Sequence, residues 1–188
     1  MVKKVKLPFD EETLTALKIG DSLMLSGTLY VARDAAHKRM VTDLEQWHPL
    51  PFDVRGQTIY FMGPTPARPG HIIGSAGPTT GSRMDAYSPA LVRAGLKAMI
   101  GKGRRIQSVK ETMKKHRAVY LGATGGTGAL LSQRIRRAEV IAYPELGAEA
   151  ILSLEVKDFP VVVINDIYGG DIYETARVRY RLEQKRQE

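Results

Sequence analysis

Four stretches of the chain combine residue types that can handle a small anion. The first is Ala32-Arg33-Asp34-Ala35-Ala36-His37, an arginine at the end of an alternating apolar run, followed by a residue suited to open a helix. The first turn of a helix presents N–H groups with partial positive charge. A guanidinium adds a planar fork that grips a carboxylate by two parallel bonds. Arg33 with Asp34 as helix cap therefore makes a candidate anion site. His37 falls on the same helical face as Met40, Val41 and Leu44. A surface arginine beside a cap and a core histidine would leave the same local pattern.

The second stretch is Gly77-Pro78-Thr79-Thr80-Gly81-Ser82-Arg83-Met84-Asp85. Glycine and proline hold the backbone tight, so the hydroxyls of this turn can be presented to a ligand with little reorganisation, and Arg83 can clamp a second anionic group. An ordinary Ser/Thr/Gly loop reads alike. The third is Gly101-Lys102-Gly103-Arg104-Arg105, a lysine between glycines that can approach a ligand closely, or a solvated basic turn. The fourth, Gly122-Ala123-Thr124-Gly125-Gly126-Thr127-Gly128, invites a nucleotide reading. It lacks the Lys-Ser/Thr ending of a phosphate-binding loop, and Leu131 stands where a dinucleotide fingerprint needs its third glycine. A tight strand-to-helix turn is the better reading.

These stretches need elements to position them. Asp10 to Leu17 reads as a short helix, closed by the turn Gly20-Asp21, and Ser22 to Ala32 as a strand with Leu23, Leu25, Leu29 and Val31 at its apolar positions. A helix follows from Asp34 to about Gln46. Trp47 to Pro69 holds five prolines around one short strand, Thr58 to Met62. His71 to Ser75 is expected as another strand. Ser88-Pro89 reads as a helix cap with proline at the first turn, opening a helix to about Leu96. Ala98 to Ile100 is a strand, Gln107 to His116 a helix, Ala118 to Leu121 a strand, and Gly128 to Ile135 a helix. Val140 to Tyr143, Ser153 to Val156 and Pro160 to Asn165 complete the strands. Alternation in the middle with strands in succession elsewhere indicates a mixed α/β domain rather than a clean doubly wound sheet.

Composition narrows the function classes. With 43% hydrophobic and 26% charged residues over 188 positions, the chain can bury a core as one domain, 1–188. No cysteine is present, which excludes disulfides and self-ligated thiolate–metal or iron–sulfur sites. No apolar run approaches the length of a membrane span, and the basic start Met1 to Leu7 has no apolar segment after it. The expectation is a cytoplasmic protein with no membrane partner. The net charge of +8 suits an acidic partner, a small polyanion or nucleic acid. A nucleic-acid module would use Lys102 to Arg105, Lys114 to Arg117 and Arg134 to Arg137, but with 7% aromatic residues it lacks interleaved stacking platforms. The basic tail from about position 174, with Arg177, Arg179, Arg181, Lys185 and Arg186, reads as a solvated face.

Taken in order, Ser26-Gly27-Thr28, Arg33-Asp34-x-x-His37, Gly77-Pro78-Thr79-Thr80-x-x-Arg83-Met84 and Lys102-Gly103 resemble the β subunit or C-terminal domain of class I fumarases and L-tartrate dehydratases. The resemblance runs from about Gly20 to Gly170. It implies a single three-layer β/β/α swivelling domain with a mixed sheet. It also implies a hetero-oligomer, in which a cysteine-bearing α subunit holds a 4Fe–4S cluster that this chain does not bind. By the same resemblance Arg33, Thr79, Arg83 and Lys102 contact a C4 dicarboxylate, Thr79 transfers a proton, and Asp34 and His37 give support. The implied reaction is reversible hydration of fumarate to L-malate, with L-tartrate dehydration as the alternative. The segment Thr79 to Asp85 reads closer to the fumarase version, because the tartrate version tends to end in a longer acid. Arg104-Arg105 depart from the family, where smaller or neutral residues follow the lysine.

Overall fold

A computed structural model describes residues 2–184. Seven strands form one mixed sheet: β1 (Val2–Lys6), β2 (Ser22–Val31), β3 (Thr58–Tyr60), β4 (Ala98–Gly101), β5 (Val119–Gly122), β6 (Ile135–Ala142) and β7 (Ile151–Asn165). Six helices accompany them: α1 (Glu11–Ala16), α2 (Asp34–Glu45), α3 (Ser88–Arg93), α4 (Gln107–His116), α5 (Gly128–Ser132) and α6 (Ile172–Gln184). The strand order is β1-β2-β3-β4-β5-β7-β6, and β2 also pairs antiparallel with β7. That extra pairing closes the ring β2-β3-β4-β5-β7, leaving β1 and β6 as edges.

The layering follows from period-two alternation along the short strands. Ile59, Met99 and Tyr120 join one core with Met40, Leu91, Val92, Val109 and Met113 of the helices. Their neighbours Tyr60, Ala98, Ile100, Val119 and Leu121 join a second core with Leu23, Leu25, Leu29, Leu154 and Phe159 from β2 and β7. The closed sheet thus wraps one core between its own strands, and the helices cover a second core on its outer face. Each fully buried Leu, Ile or Phe in these cores contributes roughly 1.5–3 kcal/mol.

Several expectations need correction. The N-terminal Val-Lys-Lys-Val-Lys is a strand, parallel to β2, that buries only Val5. His71 to Ser75 is not a strand; its backbone is tied across the loop to Thr65, whose Oγ1 accepts from Ser75 N–H at 2.8 Å. The helix expected up to Ile135 stops at Ser132, and β6 begins where it was to end. The two strands expected at the end are one long strand, β7, which passes through Asp158 at φ 51°. Ser88 opens α3 from inside, not as its cap: Tyr87 is the cap, and Ser88 Oγ donates to Met84 C=O at 2.8 Å. The tail from about position 174 lies on α6, where Arg177 is exposed and Glu174 pairs with Lys110 at 2.6 Å. Lys185 and Arg186 lie outside the described residues. Among the described residues no helix is long and apolar enough to cross a membrane.

Candidate active site

Strands β2, β3, β4 and β5 run parallel, so their carboxyl ends share one edge. Arg33 follows β2, Gly63 follows β3, Lys102 follows β4, and the glycine-rich turn 123–127 follows β5. Ligands of α/β sheets bind at this edge, where loops converge and helix starts point. The segment Pro78 to Thr80 lies against it. Thr79 N–H donates to Phe61 C=O at 2.7 Å, and Thr79 C=O accepts from Lys102 N–H at 3.1 Å. Gly81 N–H then donates to Lys102 C=O at 2.7 Å, and the Tyr120 hydroxyl to the same oxygen at 3.0 Å. Thr79 and Lys102 are therefore fixed side by side through main chain. Gly81 is required here, since a Cβ would collide with the Tyr120 hydroxyl.

Arg83 sits in the 3₁₀ turn Gly81–Met84 and reaches back to the start of α2, where its Nε donates to Asp34 Oδ1 at 2.8 Å. Asp34 Oδ2 lies 3.7 Å from Arg33 Nε, and Arg33 Nη2 lies 3.3 Å from Glu149 Oε1. An alternating row Glu149–Arg33–Asp34–Arg83 results. The structure brings together Arg33, Asp34 and Arg83 by side chain, and Thr79 and Lys102 by backbone.

Two site expectations change. Asp34 is the first helical residue, and Arg33 occupies the cap position with no side-chain capping bond. The helix start is also not open to a ligand in the way expected, because Glu149 Oε2 accepts from Ala35 N–H at 2.7 Å. The cationic groups at this edge are Arg33, Arg83 and Lys102. His37 supports from below: it is fully buried, its Nδ1 lies 2.9 Å from Arg33 C=O, and its ring meets Phe61 edge-on at 5.3 Å. Burial, with the nearby Arg105 charge, pulls its pKa down to about 4. His37 is thus neutral, and Nδ1 carries the proton that Arg33 C=O accepts.

Arg105 is turned into the core. Its side chain is fully buried, with Nε donating to Asp85 Oδ1 and Nη2 to Ser88 Oγ, both at 2.6 Å. Asp85 Oδ2 accepts from Ile106 N–H at 3.2 Å. Arg105 is therefore no part of a surface stripe for nucleic acid. Asp85 is thus paired with Arg105 inside the domain. Sequence reasoning missed Glu149, Gly63 and the Asp85–Arg105–Ser88 group. Only Gly63, in Met62-Gly63-Pro64, carried a local signal.

An open cleft of about 560 Å³, lined among others by Lys4, Lys6, Arg136 and Lys157, includes none of the site residues. It lacks the convergent groups of the strand edge, so its size alone does not mark a site.

The chain matches the family described as "Fumarase C-terminus" over residues 1–176. It belongs to that family. It is 39% identical over 165 residues to "Fumarate hydratase class I, aerobic" of Salmonella typhimurium, covering 87% of this chain and 28% of that protein. It is 38% identical over 173 residues to "Fumarate hydratase 2" of Leishmania major, covering 90% and 30%. It is 36% identical over 164 residues to "Putative L(+)-tartrate dehydratase subunit beta" of Methanocaldococcus jannaschii, covering 84% of each. The chain thus spans less than a third of the length of those fumarate hydratases. The implied iron–sulfur cluster does not fit this family member by itself. The sequence has no cysteine, and among the described residues no group of three or more His, Asp or Glu is placed to hold a metal.

Proposed function

We propose that this chain is the carboxylate-binding and proton-transfer subunit of a two-subunit hydro-lyase that interconverts fumarate and L-malate. The observation that carries the reading is the strand edge itself, where two acid-oriented arginines, a lysine and a threonine stand on rigid elements. Dehydration of malate removes a proton from the carbon beside one carboxylate and hydroxide from its neighbour, and the two leave as water. Negative charge grows on that carboxylate before the double bond forms. Arg33, Arg83 and Lys102 offset it more in the transition state than in the ground state. Thr79 Oγ1 passes the proton, held in place by the backbone bonds to Phe61 and Lys102. A cluster on the cysteine-bearing partner would supply a Lewis acid for the hydroxyl.

A second reading, L-tartrate dehydration, is supported by the likeness to the M. jannaschii subunit, 84% of which this chain covers. Both acids offer two carboxylates to the same cations. The test is to reconstitute the chain with its partner without oxygen. Arg83→Lys keeps the charge and loses the fork, and Thr79→Ala removes the hydroxyl; each should lower turnover by roughly 100-fold or more. Near-full rates in both variants would refute the assignment. A tenfold kcat/KM preference for L-tartrate over L-malate, about 1.4 kcal/mol, would move the substrate and keep the family.

A further inference from the structure

We infer that Glu149 is a positioning residue of this site, holding Arg33 in the orientation that receives a substrate carboxylate; this rests on the reading of Arg33 as a substrate-binding residue. Glu149 ends the 3₁₀ segment Pro144–Glu149, and the next residues, Ala150 and Ile151, are buried. Its carboxylate is thus anchored at the start of β7. Oε2 is taken by Ala35 N–H at 2.7 Å, and Oε1 faces Arg33 Nη2 at 3.3 Å. With one oxygen fixed on the helix, the other has a fixed direction. Gly63 leaves room for the guanidinium, because a Cβ there would collide with Arg33 Nη1.

Arg33 has a competing acid. Asp34 Oδ2 lies 3.7 Å from its Nε, and neither of those two buried atoms has a hydrogen-bond partner among the described residues. Without the negative charge of Glu149, Arg33 turns toward Asp34. That movement withdraws Arg33 from the substrate and draws Asp34 away from Arg83. Glu149 therefore decides whether the two arginines stand apart as a pair of clamps or collapse onto one acid.

The test uses Glu149→Gln in the reconstituted enzyme. The Gln carbonyl still accepts from Ala35 N–H, so the melting temperature stays within about 2 °C of the parent. The charge is lost, and kcat/KM for L-malate falls roughly tenfold, mainly through KM. In an Arg33→Ala background the same change moves kcat/KM less than about twofold, because the residue acts through Arg33. Glu149→Asp keeps the charge on a shorter arm and recovers part of the loss. Equal losses in both backgrounds, no loss in Glu149→Gln, or no recovery in Glu149→Asp would reduce Glu149 to a helix cap and overturn the inference. Arg33→Ala at near-parent rates would instead overturn the reading of Arg33, and the two failures are told apart by that single variant.

Discussion

Acidification should weaken this fold in a pH window set by His37. The ring is fully buried, with Nδ1 bonded to Arg33 C=O and its edge on Phe61. Burial holds its pKa at about 4, helped by Arg105 and opposed by the Arg33 carbonyl and Asp34, against an ordinary value of 6.5. The folded value is the lower one, so the unfolded chain takes up the proton first. Stability is therefore full above about pH 6.5 and is lost as pH falls from there toward about 4. The difference corresponds to about 3 kcal/mol in all, at a slope approaching 1.4 kcal/mol per pH unit. Against a domain stability of about 5–15 kcal/mol, that is a large fraction. Carboxylates with lowered values, such as Asp21 and Asp53, start from an ordinary 3.8 and so act below most of this window. Urea unfolding at half-unit steps from pH 7.5 to 4.5 measures the profile, and His37→Gln provides the non-titrating control. The control should start less stable and stay nearly flat down to about pH 5. Parallel profiles for parent and control would show that His37 does not take up the proton, and the reasoning from burial would fail.

Two further outcomes follow from contacts around the site. Arg105→Ala leaves Asp85 buried without its cation and should cost about 3–5 kcal/mol, read as a lower urea midpoint; a loss under about 1 kcal/mol would mean that Ser88 and Ile106 alone satisfy the carboxylate. Gly63→Ala puts a methyl group where Arg33 Nη1 sits, and the end of a long side chain yields more easily than backbone. It should lower kcat/KM of the reconstituted enzyme about tenfold with little loss of stability, and an unchanged kcat/KM would show that the site tolerates a displaced Arg33.

Much of the site was legible because its residues fall at the ends of short, strongly patterned strands. The alternation Leu23, Leu25, Leu29, Val31 could only be a strand with one face inward, so Arg33 had to follow its end. Of the glycines flanking Lys102, Gly101 packs against Phe61 and the Tyr120 hydroxyl, where a Cβ would collide. Elements without such punctuation were misread. The Lys-rich β1 buries a single residue, so its pattern carried little signal. The long β7 was split in two because Asp158 and Pro160 look like a break, yet pairing with β2 on one side and β6 on the other carries it through.

The sequence by itself determined which side chains carry charge and that no thiol of this chain can hold a metal, since both are properties of residue type. It also determined that His37 faces inward, because helical spacing sets the face. Only the tertiary structure decided what each charge does. Arg105 and Arg83 look alike in sequence, yet one is sealed against Asp85 and the other reaches Asp34 at the strand edge. Glu149 acquires its place beside Arg33 only when β7 returns antiparallel to β2 and brings position 149 to the head of α2. The physical reason is distance along the chain: local spacing fixes faces and turns, while a partner 114 residues away is chosen by strand pairing and burial.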